Sequence, residues 1–326
     1  MCKVPITLLL LVWVLCCSAQ KSEPSFAMSK NKEVNDARKG VSLIVLGTVQ
    51  DAGAPHIACQ KACCALLFEK SDTTKNVVSL GLVDADAQTT YLVDATPDIT
   101  QQLHDVKNST GWAKGDIPSG IFLTHAHIGH YSGLMYLGKE ATNTSNLPVY
   151  AMPKMKRFLE QNGPWSQLVS DENIVIIPML NEQKVVLSRN LTLIPITVPH
   201  RDEFSETVGY RIIGPQKSVL FVPDIDKWSR WGKDILEEIK QVDYAFLDAT
   251  FYDSEEINTR DMAEIPHPFV VESMALFKTL STSDRQKIHF IHVNHTNPLL
   301  DPDSAATKSI LENGFSIARK GMVFQL

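Results

Sequence analysis

The chain has 326 residues, with 31 Lys and Arg against 37 Asp and Glu, and a formal net charge of −6. At 44% hydrophobic and 21% charged residues the composition is that of an ordinary globular protein, which excludes a disordered or collagen-like chain. The acidic balance argues against a nucleic-acid partner, and the length suits one large domain or two modest ones.

Residues 1–19 have the three-part layout of a secretory signal peptide. Lys3 is the only charge, residues 6–15 are almost wholly apolar, and small side chains at Cys17 and Ala19 suit cleavage before Gln20. The apolar run is shorter than the roughly 20 residues a membrane-spanning helix needs. No membrane span is expected, and the chain reads as exported, to a periplasm or beyond the cell. A lipid anchor on Cys17 is the lesser alternative, because Leu15-Cys16 makes a poor lipoprotein box. Residues 20–39 are polar and aperiodic and read as a flexible linker. From 40 to 326 no linker-like break divides the pattern, so a single domain is expected there.

Of six cysteines, Cys2, Cys16 and Cys17 lie in the leader, leaving Cys59, Cys63 and Cys64. An odd, tightly clustered set leaves two readings open: one Cys59–Cys64 disulfide with a spare thiol, or a metal knot. Beyond it, short apolar runs predict strands at 41–49, 89–94, 121–124, 174–178, 191–198, 208–213, 219–222, 244–247 and 288–293. Helical periodicity predicts helices at 99–106, 152–161, 235–242, 269–280 and 304–311. Strands in consecutive groups with interspersed helices suit two packed sheets better than a doubly wound parallel sheet.

The histidines carry the chemistry. After the strand at 121–124 the chain reads His125-Ala126-His127-Ile128-Gly129-His130. In extended backbone His125 and His127 share a face, and His130 follows where a helix can begin, so three imidazoles can converge on a divalent transition metal.

This pattern resembles the H-x-H-x-D-H signature of the metallo-β-lactamase-fold hydrolases, with His125, His127 and His130 at its histidines. Further landmarks follow in order, each after a strand. Asp94 resembles the aspartate that supports the metal ligands from behind, and His200 the remaining ligand of the first metal. Asp224 resembles the bridging carboxylate, and His292 the last histidine ligand. The resemblance implies an α/β fold of the αββα type, two mixed β-sheets face to face with helices outside, and metal-assisted hydrolysis. It implies zinc, one or two ions, with iron or manganese as alternatives. The motif aspartate is Gly129 here, which leaves the second site with His130, His292 and Asp224 only; Gly129→Asp is then expected to add a ligand. Asp51 and Asp248 are secondary candidates.

The stretch from Gly47 to Pro55, the cysteines after it and the His292-Val293-Asn294-His295 segment resemble the pyrroloquinoline quinone biosynthesis protein B family. A more distant likeness is to the cyclic phosphodiesterase of phosphonate breakdown, which implies a structural zinc on Cys59, Cys63, Cys64 and His295, with His56 as a rival fourth ligand. The phosphodiesterase branches imply that His267 protonates the leaving oxygen. The function read from the sequence is thus an exported metal-dependent hydrolase acting on a phosphodiester, ester or lactone of a small molecule. The alternatives are a role like that of the quinone-biosynthesis family and a non-catalytic metal- or ligand-binding protein.

Overall fold

The structure is a computed structural model that describes residues 39–256 and 265–326, together with Met1 and Ala37. The leader and most of the linker expected from the sequence lie outside the described residues. A compact unit runs from Asn35 to Leu326.

Among the described residues, fourteen strands numbered in chain order form two seven-stranded sheets. The first holds β1 (Val41–Gly47), β2 (Ser79–Asp84), β3 (Thr89–Val93), β4 (Gly120–Phe122), β5 (Leu147–Ala151), β6 (Ile174–Pro178) and β14 (Val323–Gln325), in the order β14-β1-β2-β3-β4-β5-β6. The second holds β7 (Val185–Val186), β8 (Thr192–Thr197), β9 (Val208–Ile213), β10 (Ser218–Val222), β11 (Tyr244–Asp248), β12 (Ile288–Ile291) and β13 (Ser316–Ile317), in the order β13-β12-β11-β10-β9-β8-β7. Each sheet is antiparallel at one side and parallel at the other. In the first, β3 to β6 are parallel; in the second, β10 to β13 are parallel.

The sheets face each other across a core that includes Leu43, Leu80 and Phe122 from one side and Tyr210, Phe221 and Phe246 from the other. Strand β1 shows why the apolar runs are continuous rather than alternating. Its Val41, Leu43 and Val45 face the other sheet, while Ile44 and Leu46 face the helices outside, so both faces are buried. Helices α2 (Ile99–Ser109), α4 (Pro153–Gln161) and α5 (Trp165–Ser170) cover the first sheet through Leu103, Met155 and Leu168. Helices α6 (Ile235–Lys240), α7 (Val270–Phe277) and α9 (Ala305–Glu312) cover the second through Ile239, Phe277 and Ile310. The expected helix–sheet–sheet–helix layering is the observed one. Among the described residues no helix is long and apolar enough to cross a membrane.

The topology also selects an edge. β1 runs with β3, because each is antiparallel to β2; β8 runs with β10, because each is antiparallel to β9. In each sheet the strands that run with the parallel set therefore end together, and loops after those ends line the crevice where open α/β sheets bind ligands. The two sheets meet there directly: Val49, just past β1, forms a parallel bridge with Val293, just past β12. The Gln50 N–H donates to the Val293 carbonyl at 2.9 Å, and the Val293 N–H donates to that of Thr48 at 2.9 Å.

Candidate metal centre

Every candidate residue lies on that edge. Asp94 follows β3; His125, His127 and His130 follow β4; His200 follows β8; Asp224 follows β10; Asp248 ends β11; His292 follows β12. Helix α3 (Ile128–Tyr131) starts directly after His127, whose backbone is still extended (φ −99°, ψ 146°). The extended segment turns His125 and His127 toward each other, and the helical turn brings His130 back beneath them. The ring centroids lie 4.4 Å apart for His125 and His127 and 4.2 Å apart for His125 and His130.

The structure gathers a first group of donors from His125, His127, His200 and Asp224. His125 Nε2 lies 2.8 Å from His127 Nδ1 and 3.3 Å from Asp224 Oδ2; His200 Nε2 lies 3.2 Å from Asp224 Oδ1. A second group holds Asp51, His130, Asp224 and His292. Asp224 is common to both, and also to a third with Asp248 and His267, where His267 Nδ1 stands 2.9 Å from Asp248 Oδ2 and 3.3 Å from Asp224 Oδ1. Within these donor groups two buried atoms have no hydrogen-bond partner, Asp224 Oδ1 and His292 Nε2. Buried atoms that the protein itself leaves unpaired, aimed into converging imidazoles and carboxylates, fit the donor set of a divalent cation.

Four of the rings also have their other nitrogen held. His125 Nδ1 meets the Thr124 hydroxyl at 2.9 Å, and His130 Nδ1 meets Asp94 Oδ2 at 2.7 Å. His200 Nδ1 meets Asp226 Oδ1 at 3.3 Å, and His292 Nδ1 meets the Thr250 hydroxyl at 2.9 Å. Thr124 donates to Asp94 and Thr250 donates to Asp248, so these partners are themselves fixed. Such supports set the tautomer and leave Nε2 of these four rings to the centre, while His127 turns Nδ1 inward, 2.8 Å from His125 Nε2. Thr124, Asp226 and Thr250 have no role in the sequence reading. The spacing Asp224-x-Asp226 and the Thr-His step were the signals available.

Electrostatics follow from the packing. Burial would raise the Asp224 carboxyl, yet the imidazoles of His200, His267 and His292 hold it well below the usual carboxylate range. Burial and the charge of His130 push His125 well below the ordinary imidazole value. Burial opposes charge on His130 too, but the Asp94 and Asp51 carboxylates raise it well above that value. The same contest, with Asp248 and Asp224 prevailing over burial, puts His267 at about 9.

One expectation changes, and one of the two open readings of the cysteines closes. Gly129 does not leave a gap: a Cβ there would lie 2.4 Å from Asp51 Cα and 2.7 Å from Asp51 Oδ1. Asp51 occupies that space, so Gly129→Asp would collide with Asp51 rather than add a ligand, and the second group has four donors instead of three. Cys59, Cys63 and Cys64 are all free thiols rather than a disulfide pair. Their sulfurs stand 3.9 Å apart for Cys59–Cys63 and for Cys63–Cys64, with His295 Nδ1 at 3.5 Å from Cys63 and 3.4 Å from Cys64. Tetrahedral zinc with bonds of about 2.3 Å to sulfur puts ligating sulfurs about 3.8 Å apart, so the four fit one ion. His56 is not the fourth member: its Nδ1 turns to the Ile57 carbonyl, its backbone N–H donates to Cys64 Sγ, and its ring packs on His295. Burial, aided by the charges of His56 and Lys61, drops His295 to about 4 and keeps it neutral.

Residues 89–292, from β3 to the last histidine of the centre, match the beta-lactamase superfamily domain. This chain belongs to the beta-lactamase superfamily. Within the superfamily, Coenzyme PQQ synthesis protein B of Gluconobacter oxydans is 23% identical over 311 residues, covering 88% of this chain and 99% of the relative. The same protein from Methylobacterium sp. is 25% identical over 304 residues, covering 87% and 99%. Zn(2+)-bound PqqB from Methylobacterium extorquens superposes with a TM-score of 0.72 at 20% identity, covering 87% of this chain and 100% of the other. A diphosphatase from the PhnP family superposes at 0.58 and 22% identity, covering 87% and 96%. These superpositions establish the metallo-β-lactamase fold.

Proposed function

We propose that this chain is a metal-dependent hydrolase, with zinc as the metal, acting on a phosphodiester or related ester of a small molecule. The observation that carries the reading is Asp224, a buried carboxylate with one unpartnered oxygen, ringed by His125, His127 and His200 at ligand separations. Three imidazoles and a carboxylate suit zinc, with iron and manganese as alternatives. A divalent ion bound there would lower the pKa of water toward 7 and polarise the substrate's phosphoryl or carbonyl oxygen, making the attached phosphorus or carbon more electrophilic.

The remaining work falls to the chain itself. Thr124 and Asp226 keep the rings of His125 and His200 oriented, and Asp224 spans the two donor groups. His267 has Nδ1 committed to Asp248, so Nε2 is the nitrogen left to give a proton to the departing oxygen. Arg201, more than half exposed at the rim and 3.3 Å from His127 Nε2, offers an anionic substrate a charged partner. The diphosphatase likeness supports a phosphorus ester, and the leader-like residues 1–19 support an extracytoplasmic substrate. Likeness to Coenzyme PQQ synthesis protein B over 99% of its length favours a second reading, in which the same centre serves a coenzyme-synthesis step.

The test is turnover of chromogenic phosphodiesters, esters and lactones by zinc-loaded protein and its His127→Ala variant, with zinc counted in both. We expect the variant to hold one zinc fewer and to fall to background. Full zinc and full turnover in His127→Ala would contradict the assignment. A loaded wild type idle on every substrate would shift the case to the second reading or to a binding protein.

A further inference from the structure

We propose that Asp51 is a ligand of a second metal ion, supplying from the β1 side of the cleft the carboxylate that the superfamily motif would place at position 129. The inference rests on the metal-dependent reading above and adds a ligand to the same centre.

The local sequence explains how Asp51 arrives. A turn is closed by the Gly53 N–H donating to the Gln50 carbonyl at 2.8 Å, with Gly53 at φ +75°, a conformation glycine takes without strain. Asp51 is the second residue of that turn. The turn in turn hangs from the bridge between Val49 and Val293, so the step after β1 is held beside the step after β12, where His292 begins the loop. Asp51 Oδ1 then lies 2.9 Å from His130 Nε2 and 3.5 Å from His292 Nε2, with Asp224 Oδ2 3.9 Å from His292 Nε2. Tetrahedral zinc with bonds of about 2.0–2.2 Å sets ligand atoms about 3.3 Å apart, the scale seen here.

A plain hydrogen bond accounts for less. It would satisfy His130, whose Nδ1 is already on Asp94, but it leaves His292 Nε2 buried and without a partner. His292 cannot turn away, because Thr250 holds its Nδ1 at 2.9 Å. One cation between the two Nε2 atoms, Asp51 and Asp224 satisfies all four. Gly129 completes the argument. A side chain at 129 would start inside Asp51, so the glycine and the displaced carboxylate are two halves of one exchange.

The experiment strips metal from the full chain with chelator, reloads it with zinc, removes excess by gel filtration and counts zinc per chain. Wild type, Asp51→Ala and His127→Ala are compared, with folding checked by circular dichroism. Asp51→Ala is expected to hold one zinc fewer than wild type; a wild-type count in the folded variant overturns the proposal. If Asp51→Ala does not fold, Asp51→Asn decides, since it keeps the shape and the acceptor toward His130. Its weakest zinc site should bind about tenfold or more weakly, and unchanged affinity overturns the proposal. Loss of zinc in His127→Ala but not in Asp51→Ala would sink Asp51 alone and leave the hydrolase reading standing. Full counts in both would sink the two together.

Discussion

Four of the centre's imidazoles, His125, His130, His200 and His292, have one nitrogen committed to the protein, so their orientation is built into the fold rather than imposed by an ion. Two residues that carry this geometry, Asp94 and His292, sit at φ +67° and +65°, a left-handed conformation that ordinary side chains rarely adopt and that clusters at functional sites. The positions that the structure gathers were legible because His125-x-His127, Asp94, His200, Asp224 and His292 each follow a recognisable strand. The supports Thr124, Asp226 and Thr250 were not, because a Thr or Asp after a strand is also an ordinary turn residue. Gly129 was misread for a related reason: a motif shows which residue is missing but not which distant residue has moved in. Its backbone φ is not in the positive range; the constraint is contact with Asp51. Gly129→Asp should therefore add no zinc and should destabilise the fold by about 1–3 kcal/mol, the usual cost of overpacking, readable as a lower midpoint in urea. A variant of unchanged stability carrying an extra zinc would restore the motif reading.

At the scale of elements, the segment between β1 and β2 does most to join the halves of the site. It carries Asp51, then His56 and Cys59, then helix α1 (Ala62–Glu69) with Cys63 and Cys64, while His295 comes from just beyond His292. One ion on the three thiols and His295 would pin this segment to the loop after β12, and metal binding would then count directly as folding free energy. Cys63→Ser is expected to lose one zinc and to melt at lower temperature while His125, His127 and His200 keep theirs. Native mass spectrometry with zinc counting checks it; unchanged zinc and melting temperature would leave the cluster without a structural role. All five predicted helices form, as α2, α4, α6, α7 and α9, because each has one apolar face with a clear period. Strand β2 was missed, since its six residues are all buried and Ser79 and Gly81 interrupt the apolar run. The pairs β7 and β13 are two residues long and exist only through their neighbours.

For the molecule as a whole, the cleft exists because two mixed sheets present the ends of same-directed strands along one edge and are packed tightly behind it. Phe246, fully buried between the sheets, is part of that packing. Phe246→Ala should cost about 3–5 kcal/mol, measured by denaturant titration, because the aromatic volume is not easily refilled. A loss below 1 kcal/mol would mean the inter-sheet core is looser than its burial indicates. The consecutive grouping of strands made the two-sheet layout legible. The return of β14 to the first sheet was not, because three partly buried residues carry no period.

The central claim is that this edge is a metal centre built on Asp224. Anomalous diffraction at the zinc edge from crystals of zinc-loaded protein tests it most directly. The account predicts one peak among His125, His127, His200 and Asp224, and a second among Asp51, His130, Asp224 and His292. Crystals loaded with zinc that show no peak against Asp224 would contradict it.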